Sequence, residues 1–137
     1  MPVLVRWYLK TALVYFVASL VLGVVQASGG LFAFLSSGLT PVYYHLLMVG
    51  WITQLILGVA IWMFPKFSLA QPRGNEEFAW GAYFLLNLGL LIRVISEPMN
   101  ALYPTATWGV FLVVSAVLQW LAGMLIVANI WQRVKLK

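Results

Sequence analysis

The chain has no cysteine, one histidine and three acidic residues in 137 positions. Without cysteine there are no disulfides, no iron–sulfur ligation and no thiolate metal sites. The acids are Glu76, Glu77 and Glu97, and none falls in the middle of an apolar run. That argues against a proton pump or coupled transporter, which needs an ionisable group at membrane depth. No phosphate-binding loop, Ser/His/Asp set or metalloprotease motif is present. Charged residues make up 8% of the chain and hydrophobic ones 64%. A water-soluble domain of this length cannot bury that much apolar surface. The chain therefore reads as an all-α integral membrane protein, a single domain over residues 1–137. Its first apolar run has no A-x-A-like cleavage site and continues to spanning length, unlike a cleavable signal.

Crossing the hydrocarbon layer takes about 20 apolar residues in a helix. Four segments qualify, at about residues 7–26, 42–64, 78–95 and 107–130. The first ends in Ala27-Ser28-Gly29-Gly30. Pro41 and Pro104 precede helix starts, while Pro65 and Pro98 follow helix ends, where a missing N–H costs least. Residues 31–39 are too short to span and read as a loop or interfacial turn. Arg6, Lys10, Lys66, Arg73, Arg133, Lys135 and Lys137 all fall on one side of a four-pass chain; only Arg93 falls toward the other. The positive-inside rule then puts both termini in the cytoplasm. The same placement accounts for the net charge of +5: the expected partner is the bilayer and not a nucleic acid.

Small and polar residues recur at helical spacing inside the spans: Gly50, Gln54 and Gly58 in the second, Asn87 and Gly89 in the third, Gln119 and Gly123 in the fourth. Such residues let helix backbones approach closely, and amides can hydrogen-bond across the contact. At about 100° per residue, His45 shares a face of the second span with Met48, Val49, Ile52, Ile56 and Val59, and Gln54 points away. Two special faces on one helix suggest that it is central to a homo-oligomer.

His45 would lie about one turn below the outer surface. Either it is a wetted or backbone-bonded histidine at a helix end, or it is a ligand for haem iron or a metal. One histidine per chain cannot build a multi-histidine metal site, although symmetry-related copies could. Arg93 is expected at similar depth. It either snorkels to the surface or pairs with Glu97 at i,i+4, or it clamps an anion such as a haem propionate.

The residues His45, Gly50-Trp51, Gln54, Gly58, Trp62 and Phe64-Pro65 resemble the second helix of the catalytic subunits of haem–copper oxidases and nitric oxide reductases. More closely, the whole chain resembles short, stand-alone, four-helix prokaryotic proteins described as subunit I-like; Pro72-Arg73-Gly74-Asn75, Trp80, Asn87-Leu88-Gly89 and Arg93 fit that pattern too. The resemblance implies one four-helix arc of a haem–copper-oxidase-like bundle in a prokaryotic plasma membrane. It implies haem b on His45, with Arg93 as propionate partner, and electron transfer or diatomic-gas binding beside a respiratory-chain partner. The large subunits are built as three such arcs, so the resemblance favours a homotrimer over a dimer. The copper ligands, the high-spin haem ligand and the opposing axial histidine lie on helices this chain lacks, so it is not a complete oxidase. Open alternatives are a metal ion shared by symmetry-related His45 residues, a cofactor-free structural or accessory subunit whose polar stripes mediate oligomerisation, and a small channel along an oligomer axis.

Overall fold

The computed structural model describes residues 1–29 and 36–134. Among these residues every regular element is helical. Helix α1 is Val3–Ala27. Helix α2 is continuous through three stretches: Ser36–Tyr44, a π-helical His45–Thr53, and Gln54–Met63. Helix α3 is Glu76–Leu102 and α4 is Ala106–Trp131. All four are long and apolar enough to cross a membrane. Residues 31–35 of the expected short segment, and Lys135 and Lys137 of the basic set, lie outside the described residues.

The helices run up, down, up and down. Tyr15 meets Gly50 and Tyr8 meets Gly58, so α1 and α2 are antiparallel. The Tyr8 hydroxyl donates to the Ala79 carbonyl at 2.9 Å, and Thr11 and Tyr83 share a 2.7 Å hydroxyl contact, so α1 and α3 are parallel. Gly89 lies against Ser115 and Gly81 against Leu125, so α4 returns along α3. Arg6, Lys10, Lys66, Arg73 and Arg133 consequently gather at one end of the bundle, and Arg93 lies toward the other.

The winding of α2 follows from its buried positions. Gly38, Val42, Leu46, Gly50, Gln54 and Gly58 are all buried and recur every four residues. In an α-helix of 3.6 residues per turn, four residues overshoot one turn by about 40°. Five such steps would carry the stripe to the opposite face. A π-helical turn, bonded i to i+5, takes roughly 4.4 residues and undershoots by a similar angle. Nine π-helical residues in the middle of α2 therefore hold the stripe in line. The approach this permits is close: a Cβ on Gly50 would stand 2.8 Å from the Tyr15 ring, and one on Gly58 2.9 Å from Tyr8 Cβ.

Two proline expectations do not hold. Pro41 lies inside α2 and Pro98 inside α3. Both helices continue because they pack against each other there. A Cβ on Gly38 would stand 2.6 Å from Pro98 Cα, and membrane helices tolerate proline where neighbours support the backbone. The second and third spans thus extend to Ser36 and Leu102 instead of stopping at Val42 and Ile95.

Loops at the basic end are latched by side chains. Asn75 caps α3, its Oδ1 accepting from Glu77 N–H at 2.9 Å and Phe78 N–H at 3.3 Å. Gly74 precedes it at φ +73°, a conformation that favours glycine. From α4, Asn129 donates to the Asn75 carbonyl at 2.6 Å. Arg133 donates to the Phe64 and Pro65 carbonyls at 2.6 and 3.0 Å, capping the end of α2. Burial, and secondarily the charge of Arg73, pull the Arg133 guanidinium pKa below its ordinary value.

Gly58→Leu is expected to destabilise the protein by about 1–3 kcal/mol through overpacking against Tyr8. Gly123→Ala should leave stability within about 0.5 kcal/mol, because a Cβ there meets nothing within 4 Å. Thermal denaturation in one detergent distinguishes the two; equal losses would show that α1 and α2 do not meet at Gly58.

Candidate functional site

His45 is the first residue of the π-helical stretch and the ninth residue beyond Ser36. The longer helix puts it about two and a half turns from the helix start. Its ring is half-buried, with 31% of the side chain exposed. Nδ1 lies 2.9 Å from the Pro41 carbonyl. A carbonyl only accepts, so Nδ1 carries the proton of this contact, which makes Nε2 the lone-pair nitrogen of the neutral ring. The Glu97 carboxylate approaches the same Nδ1 at 3.7 Å.

Glu97 was expected at a helix end. It is instead five residues short of the end of α3, with only 9% of its side chain exposed. Arg93 holds it from one turn earlier, Nη1 to Oε1 at 2.9 Å. Buried charge is costly unless paired and hydrogen-bonded, and the rest of the guanidinium is also engaged. Arg93 Nε donates to Ser115 Oγ at 3.1 Å and Nη2 to the Leu112 carbonyl at 3.5 Å. The fully buried Ser115 hydroxyl is a hub. It donates to the Gly89 carbonyl at 2.7 Å, accepts from Arg93, and accepts from Gln119 Nε2 at 3.0 Å. One donor and two acceptor positions exhaust a hydroxyl. Glu97 Oε2 is buried and has no partner. His45 on α2, Arg93 and Glu97 on α3, and Ser115 on α4 therefore form one polar chain across three helices.

The remaining sequence-derived candidates sort differently. Gly50 and Gly58 face α1 within the same chain, and Gly89 faces Gln119 and the Ser115 carbonyl, where a Cβ would stand 2.9 and 3.0 Å away. Gly123 faces open space. The amides do not bond across helices as expected. Asn87 donates to Tyr83 in its own helix at 2.7 Å, and Gln119 bonds Ser115 in its own helix. Gln54 is wholly buried, with neither amide atom partnered. Bonds that do cross come from Tyr8, Thr11, Arg93, Ser115, Asn129 and Arg133. On Asn129 and Arg133 the sequence carries a signal: an amide and a guanidinium one turn apart at the end of a mostly apolar helix. The outer face of α2 carries the exposed Tyr44, Met48 and Ile56; His45 stands beside this face, not opposite the packed stripe.

Chemically, the arrangement offers one free imidazole nitrogen on a ring whose other nitrogen is anchored. Among the described residues, no group of three or more His, Cys, Asp or Glu side chains could hold a metal ion. No family model matches the chain, and neither a curated protein nor a solved structure does.

Removing one partner of a buried ion pair strands the other. Arg93→Leu is expected to cost on the order of 3 kcal/mol. Arg93→Leu with Glu97→Leu should restore most of that. A double variant no more stable than Arg93→Leu in denaturant melts would refute the pairing as the source of the cost. Gln54→Met should raise or preserve stability, since an unsatisfied buried amide costs about 1–3 kcal/mol; a clear loss would mean that the amide has a partner in the membrane.

Proposed function

We propose that this chain is an integral-membrane haem-binding protein that holds a b-type haem through Nε2 of His45. The supporting observation is the anchoring of Nδ1 by the Pro41 carbonyl, with Glu97 at 3.7 Å. Histidines that ligate metals commonly donate their other N–H to a carbonyl or carboxylate, which fixes the tautomer and raises ligand basicity. The anchored ring therefore fits a single axial ligand, and bound haem would supply electron transfer or diatomic-gas binding. A second axial histidine has to come from outside this chain, which holds one histidine. A homo-oligomer meets that need, as a trimer in the arrangement the oxidase resemblance implies. A metal ion shared by symmetry-related His45 residues would use the same lone pair. Arg93 can serve a propionate only by sharing its guanidinium with Glu97, which already occupies Nη1.

A second reading is favoured by the closure of the Arg93 network. With Glu97, Ser115 and Leu112 taking its donors, His45 and Arg93 could serve only to join α2, α3 and α4 in a cofactor-free accessory subunit. An absorption spectrum separates the readings. After haem-replete expression the wild type should show a Soret band that His45→Ala loses while remaining folded. A wild type without a Soret band would leave the structural reading standing and sink the haem proposal.

A further inference from the structure

We propose that the first turns of α1 bind the headgroup of an anionic phospholipid. Val3, Arg6, Trp7, Lys10, Thr11 and Val14 line a cavity of about 390 Å³ on the outside of the bundle. Their spacing of three and four residues places them on one helical face. Two cations line this cavity and no carboxylate does. The other basic residue with a cavity of its own at this end, Arg73, shares it with Glu76.

The geometry suits a phosphate. Arg6 is held in place by two bonds from Nε and Nη2 to the Met1 carbonyl, at 3.2 and 3.0 Å. Its Nη1 is left for an oxygen ligand, and an ordered guanidinium grips phosphate well. Lys10, one turn further along, has no hydrogen bond or ion pair among the described residues. Thr11 is fixed by the Tyr83 hydroxyl and closes the inner wall. Trp7 is exposed between the two cations, as befits the membrane interface.

The same face then changes character. Beyond Val14 it continues through the exposed Val17, Val21 and Val24. A ligand that follows this face needs an anionic head and a long apolar tail, which describes a phospholipid. Zwitterionic lipids carry the phosphate together with an ammonium that Arg6 and Lys10 repel, so the site selects anionic headgroups.

The test is native mass spectrometry of the detergent-purified full chain, offered phosphatidylglycerol and phosphatidylcholine with identical acyl chains. The wild type should retain phosphatidylglycerol preferentially. Arg6→Gln with Lys10→Gln should reduce that preference roughly thirtyfold, Lys10→Gln alone by less, and Lys66→Gln with Arg73→Gln should leave it intact. Thermal melts confirm that the variants remain folded. Equal retention of the two lipids by the wild type would overturn the proposal. So would an unchanged preference in the Arg6/Lys10 variant, or an equal loss in the Lys66/Arg73 variant.

Discussion

The structure depends on the buried stripe of α2, which repeats every four residues and so is out of step with an α-helix. Helix α1 can lie against α2 only if Gly50 and Gly58 both face it, because the Tyr15 and Tyr8 side chains fill the space where their Cβ atoms would stand. The π-helical stretch His45–Thr53 supplies the unwinding that keeps these glycines aligned. Tyr8, once seated at Gly58, reaches the Ala79 carbonyl and fixes α3. Helix α4 then rests on α3 through Gly89 and Ser115. The same unwinding places His45 at the stripe's edge, where it meets Pro41 below and Glu97 across. Packing and site geometry are therefore one constraint: a stretch wound as an ordinary α-helix would turn either the glycines or the histidine away from its neighbour.

The two ends of the bundle satisfy their polar groups by different means. At the basic end, Arg133 and Asn129 donate to backbone carbonyls left open where helices stop. These are neutral acceptors, and among the described residues Arg133 makes no ion pair. At the other end the charge is internal. Arg93 and Glu97 neutralise each other, and Ser115 absorbs what remains of the guanidinium. A pair of this kind contributes little net stability but is expensive to break from one side. The Arg93 bonds to Ser115 and Leu112 set the height of α3 against α4, while the pair within α3 holds the Glu97 carboxylate 3.7 Å from the His45 ring.

Much of this was readable from composition and spacing. The four spans follow from the length of the apolar runs, and the gathering of basic residues at one end follows from their positions along a four-pass chain. The Arg93–Glu97 contact was one of the alternatives that i,i+4 spacing allows. Other features were not legible for physical reasons. Pro41 and Pro98 read as boundaries because proline lacks an N–H; only the contact between Gly38 and Pro98, remote in sequence, shows why both helices pass through. The depth of Glu97 depends on that same extension. The π-helical stretch was signalled by the four-residue spacing from Gly38 to Gly58, but a fixed 100° per residue hides it. That assumption also put His45 and Gln54 on opposed faces. The partners of the amides could not be read at all, since Asn87 and Gln119 can bond within their own helices as readily as across them.

The accounting of polar groups bears on where function can reside. Ser115 has no capacity left, and the guanidinium of Arg93 is engaged at all three nitrogens. Gln54 is enclosed, with a glycine one turn to either side. Groups with capacity to spare lie elsewhere: the Nε2 of a half-exposed His45 ring at one end, and the cations Arg6 and Lys10 on the outer face of α1 at the other. Both look out of the bundle. On the haem proposal, a ligand on His45 would approach from the lipid side or from a neighbouring copy, and a second axial histidine would come from such a copy. The proposed haem site would then be shared within an assembly. In that assembly each chain would contribute a prepared imidazole, and the anchoring by Pro41 would set the angle at which copies could meet.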